Sequence, residues 1–230
     1  MVAPEHARIL IGIDLDGTIE DSRSDMVAAV QRVRAGFGLP ARAYDVVVPH
    51  VNGGMDPLYR ACFDDYRRDD EPAQRLGAIR EAYEADYLEH VAVETQLYPG
   101  VRDALAGLAP LGALACVTNK PERISRRLLA ALGVGGLFTT VVGGDSCPHI
   151  KPHPVMLETA ALRCSFDRES GLAFMIGDTD GDIQLARSFG AQAIWCGWGY
   201  VSAPRETPDA RATHPRELIA HVSARVARHG

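Results

Sequence analysis

The chain has 230 residues, 47% of them hydrophobic and 23% charged, with a formal net charge of −6; this is a globular composition, long enough for one large domain or a core with a smaller companion. The acidic balance excludes a broad basic face for nucleic-acid backbone, and no apolar run reaches the length of a membrane span. Cys62, Cys116, Cys147, Cys164 and Cys196 are odd in number and form no C-x-x-C pair, and Met1–Arg8 lacks the apolar centre of a secretory signal; together these argue against a disulfide framework or structural zinc and for a reducing, cytoplasmic setting.

Arg8–Asp14 reads as a buried strand that runs into Asp14-Leu15-Asp16-Gly17-Thr18. Residues two apart in extended backbone point to the same side, so Asp14 and Asp16 are expected to converge on one spot at the strand's end, with Gly17 suited to a sharp turn. Taken alone, D-x-D-G is also a calcium-loop fragment or an ordinary turn. From Asp21 to about Thr95 the composition shifts to Arg, Asp, Glu and Ala. Helices are predicted over Ser24–Gly36 and Pro72–His90, and Val46–Val48 is too short, beside Pro49, to make a strong strand.

From about Pro99 onward strands and helices alternate. Strands are predicted at Ala113–Thr118, Thr139–Gly143, Leu172–Ile176 and Ala191–Cys196. Helices are predicted at Pro121–Leu132, Pro154–Arg163, Gly181–Phe189 and Pro215–Arg228, and Ala203–Thr213 reads as a polar loop. The alternation predicts an α/β fold, a Rossmann-like parallel sheet with helices on both faces. The expected core comprises residues 1–20 and 96–230. Residues 21–95 would be an inserted helical domain over the strand end that carries the acid pair, with hinges near Glu20–Ser22 and Glu94–Pro99.

Polar groups follow four of the strands in order. Asp14 to Thr18 follows the first; Thr118-Asn119-Lys120 ends the second and precedes a helix beginning at Pro121. Lys151-Pro152 lies after the third, and Gly177-Asp178-Thr179-Asp180-Gly181-Asp182 opens a helix after the fourth. A doubly wound sheet brings such groups to one edge, where its ligands bind. Asp14, Asp178 and Asp182 are hard oxygen ligands suited to Mg²⁺. Lys151 is a compact charge for a phosphate; Thr118 adds a hydroxyl, and Asn119 lies where a helix N-terminus presents free N–H groups. Such a set stabilises a transferring phosphoryl group, and a carboxylate nucleophile would pass through an aspartyl-phosphate. Each piece also has a plain role: a helix cap for Thr118 and Asn119, an exposed loop for Lys151-Pro152, an acidic turn for Gly177–Asp182. Their occurrence in sequence after four strands favours one shared site. Other polar residues read as bystanders. His149 and His153 flank Lys151 and read as solvated loop residues, the alternative being contact with a leaving group, and Cys147 shows no sign of an activated thiol. Trp195 and Trp198 pack the last strand and its loop, Asp180 faces solvent or caps a helix, and Arg60, Arg67 and Arg68 read as a solvated helix face, the alternative being contact with an acidic substrate tail.

In order and character these four groups resemble the four motifs of the haloacid dehalogenase-like hydrolases, over nearly the whole chain. Asp16-Gly17-Thr18-Ile19-Glu20-Asp21-Ser22 is similar to the D-G-T-L-x-D-S signature of the phosphoglycolate phosphatase-like branch. Gly38-Leu39-Pro40, Gly53-Gly54, His214-Pro215-x-Glu217-Leu218 and the inserted helical cap are similar to that branch as well. The resemblance implies Asp14 as nucleophile and Mg²⁺ ligand, and Asp16 as general acid and then base, its backbone carbonyl also on the metal. It implies Thr118, the Asn119 backbone and Lys151 as phosphate holders, Asp178 as a Mg²⁺ ligand, and Thr18 and Asp182 in support. The implied activity is Mg²⁺-dependent hydrolysis of a small phosphorylated metabolite, phosphoglycolate first among them, by a monomer or homodimer. A sugar phosphomutase and a non-catalytic phosphate-binding protein are the alternatives; a carbon–halogen hydrolase is disfavoured by the second acid, Asp16.

Overall fold

In the computed structural model, residues 7–51, 54–66 and 72–229 are described; Gly53, Arg67 and Arg68, singled out above, lie outside them. The chain divides into two compact units, one of residues up to Glu20 and from Leu97 onward, the other Asp21–Gln96.

The first strand, β1 (Ile9–Ile13), is apolar at every position but Gly12 and almost wholly buried, as a central parallel strand must be. Two short strands, β2 (Glu20–Asp21) and β3 (Gln96–Leu97), pair where the chain enters and leaves the helical unit. Between them lie α1 (Arg23–Gly36), α2 (Tyr44–Val47), α3 (Met55–Cys62) and α4 (Pro72–Glu89). Val46–Val48 is therefore not extended: α2 runs into a 3₁₀ turn over Val48–His50. The unit's core is built by α1 packing on α4 and α3 on α4. Tyr59 meets Tyr83 edge to face, with ring centroids 5.3 Å apart, and Tyr83 stacks on Tyr87 at 5.8 Å. The Asp25 carboxylate ties its ends, accepting from the Glu94 and Thr95 N–H groups and, at 2.6 Å, from the Thr95 hydroxyl.

Arg34 is wholly buried and must have its donors satisfied. It donates to the Pro40 carbonyl at 2.8 Å, to the Cys62 carbonyl at 2.5 Å and to both Asp65 oxygens at 2.7 and 2.8 Å. Hydrogen bonding from Arg34 holds the Asp65 carboxyl down at about 2, below the ~3.9 of an unfolded chain. The pair's contribution is therefore whole above about pH 4 and is lost as pH falls towards 2. Asp65 is 37% exposed, so screening keeps it small. Asp65→Asn is expected to lower the urea midpoint by the same modest amount from about pH 5 to about pH 7, the difference narrowing below about pH 4. A difference independent of pH would detach the charge of Asp65 from the stability of this unit.

The first unit continues with α5 (Val101–Leu108), β4 (Ala113–Val117), α6 (Glu122–Ala131), β5 (Thr140–Val142) and α7 (Val155–Arg163). It ends with β6 (Leu172–Gly177), α8 (Asp180–Phe189), β7 (Gln192–Cys196), β8 (Ala210–Ala212) and α9 (Glu217–His229). Its sheet has six strands in the order β5-β4-β1-β6-β7-β8, all neighbours parallel. Alternate residues serve the two faces: Leu10, Ala115, Val117, Ala173, Met175 and Ala193 share a core with Met156, Leu157, Ile183 and Ala186 of α7 and α8. On the other face α5 packs on α9, and α9 on β6 and β8. Strand β8 lies inside the stretch predicted as a loop, Ala203–Thr213. Three residues are too few to show a period, and β8 is anchored by Asp209, whose carboxylate accepts from Ala193 N–H at 2.8 Å. From β1 the chain adds strands on one side and then returns to the other, so the crevice of this sheet lies at the carboxyl ends of β1, β4 and β6. Among the described residues no helix is long and apolar enough to cross a membrane.

Candidate active site

The pairing of β1 with β6 continues one residue past the strand, Asp14 N–H donating to the Ile176 carbonyl at 2.8 Å. The chain then turns sharply: Ile19 N–H donates to Leu15 at 2.9 Å and Gly17 N–H to Glu20 at 2.9 Å. Gly17 has φ 81°, and a Cβ there would lie 2.6 Å from an Asp178 oxygen, so both conformation and space require glycine. Each of the two acids has a lysine of its own. Asp14 meets Lys151 Nζ at 2.6 Å, while Asp16 pairs with Lys120.

Three strand ends meet at Asp14. Lys151, held by donation of its N–H to Asn119 Oδ1 at 3.1 Å, also reaches Asp182 Oδ1 at 2.8 Å. Asp182 is fixed in turn by a capping box: its Oδ2 accepts from Thr179 N–H at 3.0 Å and from the Thr179 hydroxyl at 2.6 Å. Thr179, not Asp180, therefore caps α8; Asp180 accepts from Arg205 and Glu206 N–H groups. Asp178 accepts from Tyr200 N–H at 2.7 Å and from the Thr18 hydroxyl at 3.4 Å. Thr118, 1% exposed, has its oxygen turned to Lys120 N–H at 3.1 Å, which leaves its hydroxyl proton for another acceptor. Neither Thr118 nor Asn119 caps a helix, since α6 begins after Pro121 without a side-chain cap.

Asp14, Asp178 and Asp182 each place one oxygen within 4.8 Å of the others, and all three are buried. Burial, then Asp182 and Asp178, push the Asp14 carboxyl well above its ordinary range against the pull of Lys151. Burial and Asp182 raise Asp178 to about 6. Burial disfavours the Lys151 ammonium, but Asp14 and Asp182 outweigh it and hold the lysine charged. Three buried carboxylates against one ammonium leave an excess of negative charge with closely spaced oxygens, the donor set and charge that a hard divalent cation requires.

Several residues at this site carry roles that sequence reasoning did not assign. Lys120 was part of the Thr118-Asn119-Lys120 group but received no role; its side chain is 3% exposed. Trp195 and Trp198 do more than pack: their indole N–H groups donate to the Asp178 and Thr18 carbonyls at 2.9 and 3.0 Å. The loop between them and Tyr200 passes so close that a Cβ on Gly199 would lie 2.3 Å from Asp178 Cβ. The Gly-Trp-Gly-Tyr run was the available signal. His149 and His153 lie with ring centroids 4.4 Å apart, and burial raises the Cys147 thiol, so no nucleophile is added there.

Residues 11–196 match the haloacid dehalogenase-like hydrolase family. The chain is 32% identical over 212 residues to a phosphoglycolate phosphatase of Aquifex aeolicus (strain VF5), covering 91% of this chain and 94% of that protein. It is 34% identical to a phosphoglycolate phosphatase of Nitrosococcus oceani, covering 91% of each. The crystal structure of a predicted phosphoglycolate phosphatase from Haemophilus somnus 129PT superposes with a TM-score of 0.77 at 26% identity, over 92% of this chain and 96% of that one. CbbY from Rhodobacter sphaeroides, solved in complex with phosphate, shares the fold with a TM-score of 0.71 at 21% identity, over 91% and 95%. Acids and lysine gathered at the switch point of a parallel sheet, together with these likenesses, define a hydrolase: the chain belongs to the haloacid dehalogenase-like family. Within that family it stands in the phosphoglycolate phosphatase-like branch, among enzymes of the phosphatase class.

Proposed function

We propose that the protein hydrolyses a small phosphomonoester, phosphoglycolate first among candidates, through an aspartyl-phosphate on Asp14 and with Mg²⁺ as cofactor. The observation that carries the reading is the buried cluster of Asp14, Lys151, Asp178 and Asp182. An Asp14 oxygen attacks phosphorus, the bond from phosphorus to the ester oxygen breaks, and Asp16 gives the departing alkoxide its proton. Asp16 then takes a proton from water, which attacks phosphorus and releases phosphate and Asp14. The Thr118 hydroxyl, the Asn119 N–H and the Lys151 ammonium hold the phosphate oxygens. Asp14, Asp178 and the Asp16 carbonyl would hold Mg²⁺, with Asp182 and Thr18 in support, and the ion when bound supplies positive charge to the phosphoryl oxygens. Choice of substrate is assigned to residues 21–95 as the cap.

The test is phosphate release from a panel of phosphorylated metabolites, with and without chelator. Activity is expected to vanish with chelator and return with Mg²⁺, and phosphoglycolate to give the highest kcat/KM of the panel. Mg²⁺ is also expected to raise the Tm of the resting enzyme by mass action. Turnover that persists in excess chelator would overturn the cofactor assignment, and a better substrate in the panel would overturn the substrate.

A further inference from the structure

Lys120 is almost wholly buried without being one of the phosphate holders. Lysine is seldom buried unless its charge is paired, and where only filling is needed an apolar side chain of similar volume serves as well. Its backbone is pinned from both ends: its N–H donates to the Thr118 oxygen at 3.1 Å and its carbonyl accepts from Gly144 N–H at 3.0 Å. From this fixed base Nζ reaches the Asp16 carboxylate and lies 4.0 Å from Oε1 of Glu20. Glu20 is fully buried and Asp16 17% exposed, so of the three charges Asp16 is the one most open to an incoming molecule. Glu20 also fills the position that the D-G-T-L-x-D-S signature leaves open.

We infer that Lys120, backed by Glu20, is a positioning residue that fixes the direction of the Asp16 carboxyl toward the leaving group. The arrangement gives each acid of the Asp14/Asp16 pair its own lysine: Lys151 belongs to the phosphoryl end of the site and Lys120 to the leaving-group end. One ammonium between two carboxylates holds Asp16 in a single place, as proton delivery to an ester oxygen requires. This inference rests on Asp16 serving as the general acid, and its test separates the two.

The readout is kcat/KM for two esters. One is p-nitrophenyl phosphate, whose leaving group departs with little protonation; the other is the best alkyl phosphomonoester of the panel, which needs a proton. Asp16→Asn is expected to lose far more on the alkyl ester than on the aryl ester. Lys120→Met is expected to follow the same pattern in reduced form, falling about tenfold on the alkyl ester and less than about threefold on the aryl ester, a share of the roughly 10²–10⁴ that general acid–base catalysis supplies. Lys120→Arg is expected to recover most of the alkyl-ester loss. If Lys120→Met does not fold, because the buried ammonium that faces Asp16 and Glu20 is lost, the Lys120→Met/Glu20→Gln pair removes both charges and carries the same comparison. Equal losses on the two esters in the folded variant, while Asp16→Asn still discriminates, overturn the inference alone. Equal losses in Asp16→Asn itself overturn the role of Asp16, and that of Lys120 with it.

Discussion

Asp14→Asn is expected to leave the protein folded and to lower turnover by about 10³-fold or more, the scale on which removal of a nucleophile is felt. Asparagine keeps the shape of the side chain and an oxygen that can accept from Leu15 N–H, as Asp14 does at 2.8 Å, and from Lys151. It loses the anionic oxygen that would attack phosphorus. The change in stability is small because two effects oppose each other. One partner of Lys151 is lost, but Lys151 retains Asp182 at 2.8 Å, and the repulsion of Asp14 by Asp182 and Asp178 disappears with its charge. A Tm within a few degrees of the parent corresponds to a net effect of about 1 kcal/mol in a chain of this size. Acid quenching during turnover of radiolabelled substrate is expected to trap phosphate on the parent protein and none on the variant. Near-parental turnover by Asp14→Asn would place the nucleophile elsewhere.

The strand ends were legible because parallel strands buried on both faces are read as plain apolar runs, and a polar residue after such a run marks where the chain leaves the sheet. That is why Asp14, Thr118 and Asp178 fall where β1, β4 and β6 end. The fold class followed from the same runs. Shorter elements were not legible: β8 has three residues, and α3 and α5 have eight each, about two turns in which helical spacing is hard to tell from chance. Asp14 and Asp16 stood out for a local reason, since both follow directly on an apolar run that ends at Ile13. Lys120 was hidden for a different one. It lies 104 residues from Asp16 in sequence, and nothing local distinguishes a lysine that turns inward to a buried carboxylate from one that faces water. The same holds for Arg34, whose partners Pro40, Cys62 and Asp65 come together only in the folded helical unit.

Lys151→Met is expected to be the most damaging single change in the site for stability as well as activity. In the parent the ammonium lies 2.6 Å from Asp14 and 2.8 Å from Asp182, with a side chain 6% exposed. Its removal leaves Asp14, Asp178 and Asp182 facing one another in a buried place with no other cation paired to them among the described residues. Breaking a buried pair by deleting one partner costs about 3–5 kcal/mol, which in a chain of this size lowers Tm by roughly 6–20 °C. Two further measurements distinguish this cause from a loss of packing. Mg²⁺ is expected to raise the Tm of Lys151→Met by more than it raises that of the parent, because the ion becomes the only positive charge among three carboxylates. The Asp14→Asn/Lys151→Met double variant is expected to be more stable than Lys151→Met alone, since one of the carboxylates left without a partner is now neutral; a coupling of about 0.5–3 kcal/mol is typical of residues in direct contact. Turnover of the single variant is expected to fall by roughly 10²–10³-fold even at saturating Mg²⁺, because the phosphate loses a charged donor that the metal does not replace. If the double variant melts at or below the temperature of Lys151→Met, the lysine stabilises the site through the packing of its four-carbon stem and not as counter-charge to Asp14.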